Sequence, residues 1–165
     1  MSNIKRPALE GTVAVRDGRR LSFAEFGVPR WPAIVWMHGT PGSRRQIPLE
    51  ARAFAEREGL RIIGIDRPGI GSSTPHLYPN ILDWTRDLEI LLDTLGVETV
   101  RLIGLSGGGP YVLAAGAGLP DRVIAVGVLG GVAPTRGSDG IGGGVLGTVG
   151  RQVAPLREHV GTPLS

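Results

Sequence analysis

The sequence predicts an α/β fold around a mostly parallel, doubly wound sheet. Short, nearly all-apolar runs alternate with segments of helical periodicity, and the connections between them are short. Such runs are typical of strands that helices cover on both faces of a sheet. The length of 165 residues, with 41% apolar and 20% charged residues, suits one ordinary globular domain. No apolar run approaches the ~20 residues of a membrane span.

The predicted strands begin with a hairpin. Asp17-Gly18 separates two runs of strand-forming residues, and this dipeptide is a strong hairpin signal. The later strands are apolar runs bounded by helices, which favours parallel pairing. The six predicted strands cover residues 12–16, 21–26, 33–37, 61–65, 99–104 and 122–129.

Three helices are predicted between these strands, at residues 48–58, 81–95 and 108–118. The second has the clearest pattern, because its apolar residues recur at helical spacing. Asn80 suits its N-cap, and Gly96 suits its end. Before the first helix, Ser43 and Gln46 have the spacing of a capping box.

Composition excludes several kinds of site. The chain has no cysteine, so we expect neither disulfides nor thiolate chemistry. Its three histidines are far apart in sequence, without the short spacings of a metal site. The net charge is only +3 and the arginines are scattered, which indicates no nucleic-acid partner. The first residues lack the apolar stretch of a secretory signal, so the expected location is cytoplasmic.

The segment from Gly104 to Gly108 has the pattern G-x-S-x-G, with Ser106 at its centre. A predicted strand precedes it and a predicted helix follows it, which is the context of a nucleophile elbow. Such a turn presents the serine hydroxyl at the carboxyl end of the sheet, where open α/β sheets bind ligands. The Gly107 amide lies at the start of the helix and faces the same place. The alternative is a glycine-rich turn with an inert serine.

The segment His38-Gly39-Thr40-Pro41-Gly42 follows the first fully apolar strand. A glycine-rich loop here can aim a backbone N–H at the Ser106 turn, as acyl transfer requires. Pro41 has no N–H, so we predict that the amides of Thr40 and Gly107 form an oxyanion hole. We expect His38 to fix the loop rather than to act as a general base.

The segment from Asp66 to Ser73 follows the next strand and is rich in turn residues. Asp66 is expected to bind amides of a neighbouring loop, and Arg67 is expected to pair with a carboxylate. For both residues a structural role in shaping one wall of the site is the favoured interpretation.

These three loops, in this order and after these strands, resemble the α/β-hydrolase family from Gly11 to Pro134. The resemblance implies a hydrolase in which Ser106 attacks a carbonyl substrate, such as an ester, without metal or organic cofactor. A serine at the elbow is similar to esterases, lipases, peptidases and cofactor-free haloperoxidase-like members. Epoxide hydrolases and haloalkane dehalogenases place an aspartate there.

The chain departs from the family pattern after its sixth strand. The family has about eight strands and places its acid and base after the nucleophile. We therefore expect residues 1–135 to be the N-terminal part of the core, with acid and base beyond residue 165. The glycine-rich segment 136–165 resembles the start of a cap or lid, and we expect it to be poorly ordered. Asp139 and His159 are the weaker candidates for acid and base.

Two functions remain open at this point. The first is a serine hydrolase present as an incomplete chain. The second is a non-catalytic binding module derived from a truncated hydrolase. In either case the bare outer edge of the last strand predicts self-association.

Overall fold

The computed structural model describes residues 6–134. A mostly parallel six-stranded sheet carries helices on both faces, which confirms the predicted fold class. The strands are β1 (Leu9–Ala14), β2 (Arg20–Phe26), β3 (Ala33–Met37), β4 (Arg61–Ile65), β5 (Val100–Leu105) and β6 (Val123–Leu129). The helices are α1 (Leu49–Arg57), α2 (Trp84–Thr94) and α3 (Gly109–Gly118), with short 3-10 turns at Arg16–Gly18, Ile81–Asp83 and Ser106–Gly108.

The chain divides into two compact units, residues 1–132 and residues 133–165. In the second unit the structure describes only residues 133–134. The predicted glycine-rich segment 136–165, with Asp139 and His159, therefore lies outside the described residues.

The β1–β2 hairpin forms around the predicted turn. Asp17 and Gly18 both have positive φ angles, 58° and 67°, as tight hairpin turns require. The two strands pair antiparallel with Leu9 opposite Glu25. Strand β1 begins at Leu9 rather than at the predicted Thr12.

The strand order is β1-β2-β4-β3-β5-β6. Strands β3, β4, β5 and β6 run parallel, whereas β2 pairs antiparallel with β1 and β4. The chain passes from β3 to β4 on one side and then places β5 on the other side of β3. This reversal makes a topological switch point at the carboxyl ends of β3 and β5, where such sheets form a crevice.

The two faces of the sheet bury separate apolar cores. One core contains Trp36 and Ile62 with Ala55 of α1. The other contains Val35 and Met37 with apolar residues of α2 and α3. Fully apolar strands are therefore explained by burial on both faces.

The segments before α1 and α2 test the helix caps that the sequence predicts. The Asn80 side chain accepts a hydrogen bond from the Leu82 amide at 3.0 Å and so caps the 3-10 turn Ile81–Asp83, which leads into α2; α2 itself begins at Trp84 rather than at the predicted residue 81. The predicted capping box of Ser43 and Gln46 is wrong. The backbone N–H of Gln46 instead donates to the Ser43 carbonyl, in a turn that is separate from the helix. Helix α1 begins only after Pro48, which fixes φ and carries no N–H.

Strand β6 forms one edge of the sheet, and its side chains are poorly covered. Ile124 is 55% exposed and Leu129 is 50% exposed. Over residues 6–134 no strand pairs with the outer edge of β6. In the same range no helix is long and apolar enough to cross a bilayer.

Candidate active site

Ser106 lies at the end of β5, at the first position of the turn that leads into α3. Its φ is +47°, a left-handed conformation that residues other than glycine rarely adopt. Such strain costs of order 1–3 kcal/mol and persists where the surrounding structure enforces it, often at functional sites. The side chain is half-buried. The local backbone is thus that of a sharp strand-to-helix elbow.

Two glycines allow this elbow to pack tightly. A Cβ atom on Gly104 would lie 2.6 Å from Cγ2 of Val112. A Cβ atom on Gly108 would lie 2.8 Å from the carbonyl carbon of Met37, at the end of β3. Real Cβ atoms do not approach other atoms this closely, so both positions require glycine.

The loop after β3 lies directly beside the elbow. A Cβ atom on Gly39 would lie 3.4 Å from the Cβ atom of Ser106. A Cβ atom on Gly107 would lie 2.9 Å from Oγ1 of Thr40. The switch point therefore brings together two pairs of predicted site residues that are far apart in sequence, Gly39 with Thr40 and Ser106 with Gly107.

His38 is fully buried and both of its ring nitrogens are occupied. The Arg67 amide donates to Nε2 at 3.2 Å, so Nε2 carries no proton. Nδ1 therefore carries the proton and donates it to the Gly39 carbonyl at 2.7 Å. Burial lowers the pKa of His38, and the nearby charge of Arg67 lowers it further. A neutral imidazole with both nitrogens engaged holds the loop in place.

Asp66 is also buried, and it faces the segment that precedes α1. Its carboxylate accepts hydrogen bonds from the Arg44 amide at 2.5 Å and from the Ser22 hydroxyl at 2.7 Å. The Arg44 guanidinium pairs with it at 2.6 Å. Asp66 thus ties the loop after β4 to the segment before α1 and to β2, rather than contacting Ser106.

Within the described residues Arg67 pairs with no carboxylate, so that expectation is wrong for this part of the chain. Its guanidinium instead donates to the Gly107 carbonyl at 3.1 Å and to the Gly39 carbonyl at 3.0 Å. It also donates to Oγ1 of Thr40. Backbone carbonyls carry no sequence signal, and only the strand order brings these acceptors together. For that reason the sequence did not reveal this contact.

Over residues 6–134 this arrangement supplies a strained serine beside the backbone of Gly39 and Thr40, without a complete proton-transfer system. Within residues 6–134, no histidine or carboxylate forms a hydrogen bond with Ser106. In that same range no cluster of His, Cys, Asp or Glu side chains could hold a metal ion.

The family model for the alpha/beta hydrolase fold matches residues 32–165. The chain belongs to the alpha/beta hydrolase fold family. The matched range contains the loop after β3, the loop after β4 and the elbow, so the resemblance of these three loops to the family is confirmed at the level of the fold.

Curated relatives of this chain include peptidases and epoxide hydrolases. A proline iminopeptidase of Neisseria meningitidis serogroup A is 29% identical over 96% of this chain and 54% of the relative. One from Xanthomonas citri is 34% identical over 67% of this chain and 36% of the relative. Bifunctional epoxide hydrolase 2 of Mus musculus is 35% identical over 70% of this chain and 21% of the relative. The chain spans about half, or less, of the length of these relatives.

Solved structures agree on the fold. An esterase from Rhodococcus sp. superposes with a TM-score of 0.68 at 22% identity, over 78% of this chain and 48% of that one. Epoxide hydrolase A of Mycobacterium thermoresistibile superposes with a TM-score of 0.59 at 32% identity, over 76% of this chain and 40% of that one.

Proposed function

We propose that this chain carries the nucleophile and the oxyanion hole of a serine hydrolase that acts on an ester or amide carbonyl. The observation that supports the proposal most strongly is the left-handed conformation of Ser106 beside Gly39. In this position the hydroxyl stands at the switch point, where a substrate would enter.

In the proposed reaction, Oγ of Ser106 attacks the carbonyl carbon and forms a tetrahedral intermediate. The Oγ proton passes to a base outside residues 6–134, and the carbonyl oxygen becomes negatively charged. The amides of Thr40 and Gly107 donate hydrogen bonds to this oxyanion, and one such donor is commonly worth about 10²–10³ in kcat. Collapse of the intermediate then expels the alcohol or amine, which takes up the proton held by that base, and leaves an acyl group on Ser106 that water releases as the acid.

The names of the relatives span several reactions, and the residue at the elbow favours one class among them. A serine suits the acyl transfer expected of an esterase or a peptidase. Attack on an epoxide does not pass through a carbonyl addition, and the resemblance places an aspartate at the elbow of epoxide hydrolases. We therefore favour a carbonyl substrate for this chain.

A fluorophosphonate probe tests the nucleophile in the whole native protein. We expect labelling at Ser106, mapped by mass spectrometry, and loss of labelling in Ser106→Ala. The exposed Ser72 provides a matched control, so Ser72→Ala should label normally. Persistent labelling of Ser106→Ala, or a label mapped to Ser72 or Ser73, would show that the nucleophile is assigned wrongly.

The second candidate is a binding module that uses the same site without turnover. It is favoured by the absence of an acid or base beside Ser106 in residues 6–134. The mass of the native protein separates the two functions. A chain longer than 17.3 kDa supports the enzyme, whereas a native mass of 17.3 kDa without labelling supports the module.

A further inference from the structure

We propose that Arg67 is a positioning residue that aims and polarises the oxyanion hole. This inference rests on the proposed function, because it assigns a role to Arg67 in the same site. Arg67 follows β4, whereas the two amides belong to the loops after β3 and β5. Its role is to hold those two loops in one fixed relation.

The guanidinium is the link between the two loops. Nη1 donates to the Gly107 carbonyl, while Nη2 donates to the Gly39 carbonyl and the Thr40 hydroxyl. A planar guanidinium presents its N–H groups in a rigid fork, so it can fix two acceptors at a set separation. A lysine ammonium is a single point charge on a flexible stem and lacks this geometry.

The acceptor at Gly39 is the informative one. The Gly39 carbonyl and the Thr40 N–H belong to the same peptide group. In a planar trans peptide these two groups point in opposite directions. Both Arg67 and His38 donate to the Gly39 carbonyl, at 3.0 Å and 2.7 Å. Anchoring the carbonyl end therefore fixes the direction of the Thr40 N–H.

The charge of Arg67 adds polarisation to this orientation. Hydrogen bonds from a charged donor are roughly twice as strong as neutral ones, and linked hydrogen bonds strengthen one another. A cation at the carbonyl end draws electron density from the peptide and makes the Thr40 N–H a better donor. Within residues 6–134 no carboxylate pairs with Arg67, so an ion pair does not offset this effect.

Arg67 is itself held firmly. Its backbone amide donates to Nε2 of the buried His38. Its guanidinium carbon lies 5.9 Å from the centre of the Tyr111 ring, on α3. The Nε atom is buried without a hydrogen-bond partner in the described structure, which is a cost that a purely solvated arginine would not carry. These contacts hold the Arg67 side chain in place between the loops after β3 and β5.

The test compares Arg67→Met, Arg67→Lys and the control Arg30→Met, whose arginine is exposed in the loop between β2 and β3. In the whole native protein, with p-nitrophenyl acetate, we expect Arg67→Met to lower kcat by about 10- to 100-fold, less than the loss of an entire oxyanion donor. KM should change by less than about threefold, because the contact acts in the transition state. Arg67→Lys should restore only part of kcat, and Arg30→Met should behave as wild type.

A second readout does not depend on activity. In the whole native protein, nuclear magnetic resonance should show that Arg67→Met moves the amide proton signals of Thr40 and Gly107 and speeds their exchange with solvent. Arg30→Met should leave both signals in place. If Arg67→Met does not fold, Arg67→Lys serves the same comparison.

The outcomes separate this inference from the proposed function. If the wild-type protein shows no reaction at Ser106, but Arg67→Met shifts the amide signals of Thr40 and Gly107, the serine hydrolase proposal fails and the positioning of the loops by Arg67 stands. If the amides do not respond, or if kcat in a folded Arg67→Met variant stays within about twofold of wild type, the role of Arg67 is overturned.

Discussion

Gly108 packs directly against the end of β3 at Met37, with no room for a side chain between them. A Cβ atom on Gly108 would approach the Met37 carbonyl carbon to 2.8 Å and the Met37 Cβ atom to 2.9 Å. The turn that carries Ser106 therefore rests on the strand that leads into the His38–Gly42 loop. Contact between these two segments sets the distance between Ser106 and the loop after β3.

We expect Gly108→Ala to lower the free energy of unfolding by about 1–3 kcal/mol, the usual cost of forcing a methyl group into a packed site. The same variant should lose fluorophosphonate labelling, because the elbow must move away from β3. Gly11→Ala is the matched control, since its nearest contact would be an ordinary 3.6 Å to Phe23. Chemical denaturation measures both variants, and equal stability of the two would contradict the packing argument.

His38 gives the stability a dependence on pH. Burial lowers the pKa of His38 below its ordinary 6.5, so below pH 6.5 the unfolded chain binds a proton that the folded chain does not. Stability should therefore fall as the pH is lowered from 6.5 to the folded pKa, with a slope of up to about 1.4 kcal/mol per pH unit. Urea denaturation between pH 5 and 8 measures this slope.

His38→Gln should remove that slope, although it also lowers stability at neutral pH. His76→Gln, at an exposed position, should retain the slope because His38 is unchanged. If the slope survives in His38→Gln and disappears in His76→Gln, the pH dependence comes from His76 and the assignment to His38 is wrong.

Asp87 on α2 fastens the β1–β2 hairpin region to the rest of the fold. Its buried carboxylate accepts hydrogen bonds from Arg19 at 2.6 Å, Tyr78 at 2.7 Å and Arg16 at 2.8 Å. Burial alone would raise the pKa of Asp87, but these three donors together lower it. The stabilisation is therefore present above the ordinary pKa of aspartate and is lost as the pH falls through the lower folded pKa.

Asp87→Asn should cost about 3–5 kcal/mol at neutral pH, because it removes the buried counter-charge of Arg19 and leaves that guanidinium only the exposed carboxylate of Asp17, at 3.7 Å. Asp93→Asn is the control. Its carboxylate pairs with Arg122 on the surface, where such a pair is worth about 0–1 kcal/mol. Thermal or urea denaturation compares the two, and a similar loss in both would refute the importance of burial at Asp87.

The exposed edge of β6 should make the 165-residue chain self-associate. Its outer backbone groups lack a partner in residues 6–134, and apolar side chains such as Ile124 flank them. Unprotected edges of this kind pair with other chains. Light scattering after size-exclusion chromatography should show a dimer or larger species, and Ile124→Lys should shift it toward monomer.

Leu77→Lys controls for added charge alone. Leu77 is 89% exposed but lies in a loop rather than on the sheet edge, so its substitution should leave the association unchanged. A wild-type chain that stays monomeric at high concentration, or an equal response of the two variants, would rule out pairing through β6.

Much of the fold was predictable because its signals are local. The apolar runs at 33–37 and 61–65 coincide with β3 and β4, since strands buried on both faces need no polar interruption. The turn at Asp17 and the cap at Asn80 also follow from nearby residues.

The contacts that the sequence did not predict depend on residues far apart in the chain. Arg19 and Asp87 are separated by 68 positions, and Arg67 lies 40 positions from Gly107. No periodicity links such pairs, because their contact follows from the order of the strands. The position of Ser106 was predictable only because strand, turn and helix are adjacent in sequence.

The parallel arrangement also separates the parts of the surface that tolerate engineering from those that do not. The turns at Gly59 and Gly96 precede β4 and β5. They therefore lie at the amino-terminal ends of the parallel strands, whereas Ser106 lies at the carboxyl ends, a strand length of roughly 16 Å away. At both positions a side chain would meet nothing within 4 Å. Both glycines have a positive φ angle, 64°, so each should itself remain glycine. An inserted loop or a fused domain placed next to either one would still leave the reactive end intact. The same addition at Gly71, against the Asp66 carboxylate, would disturb the loop that carries Arg67.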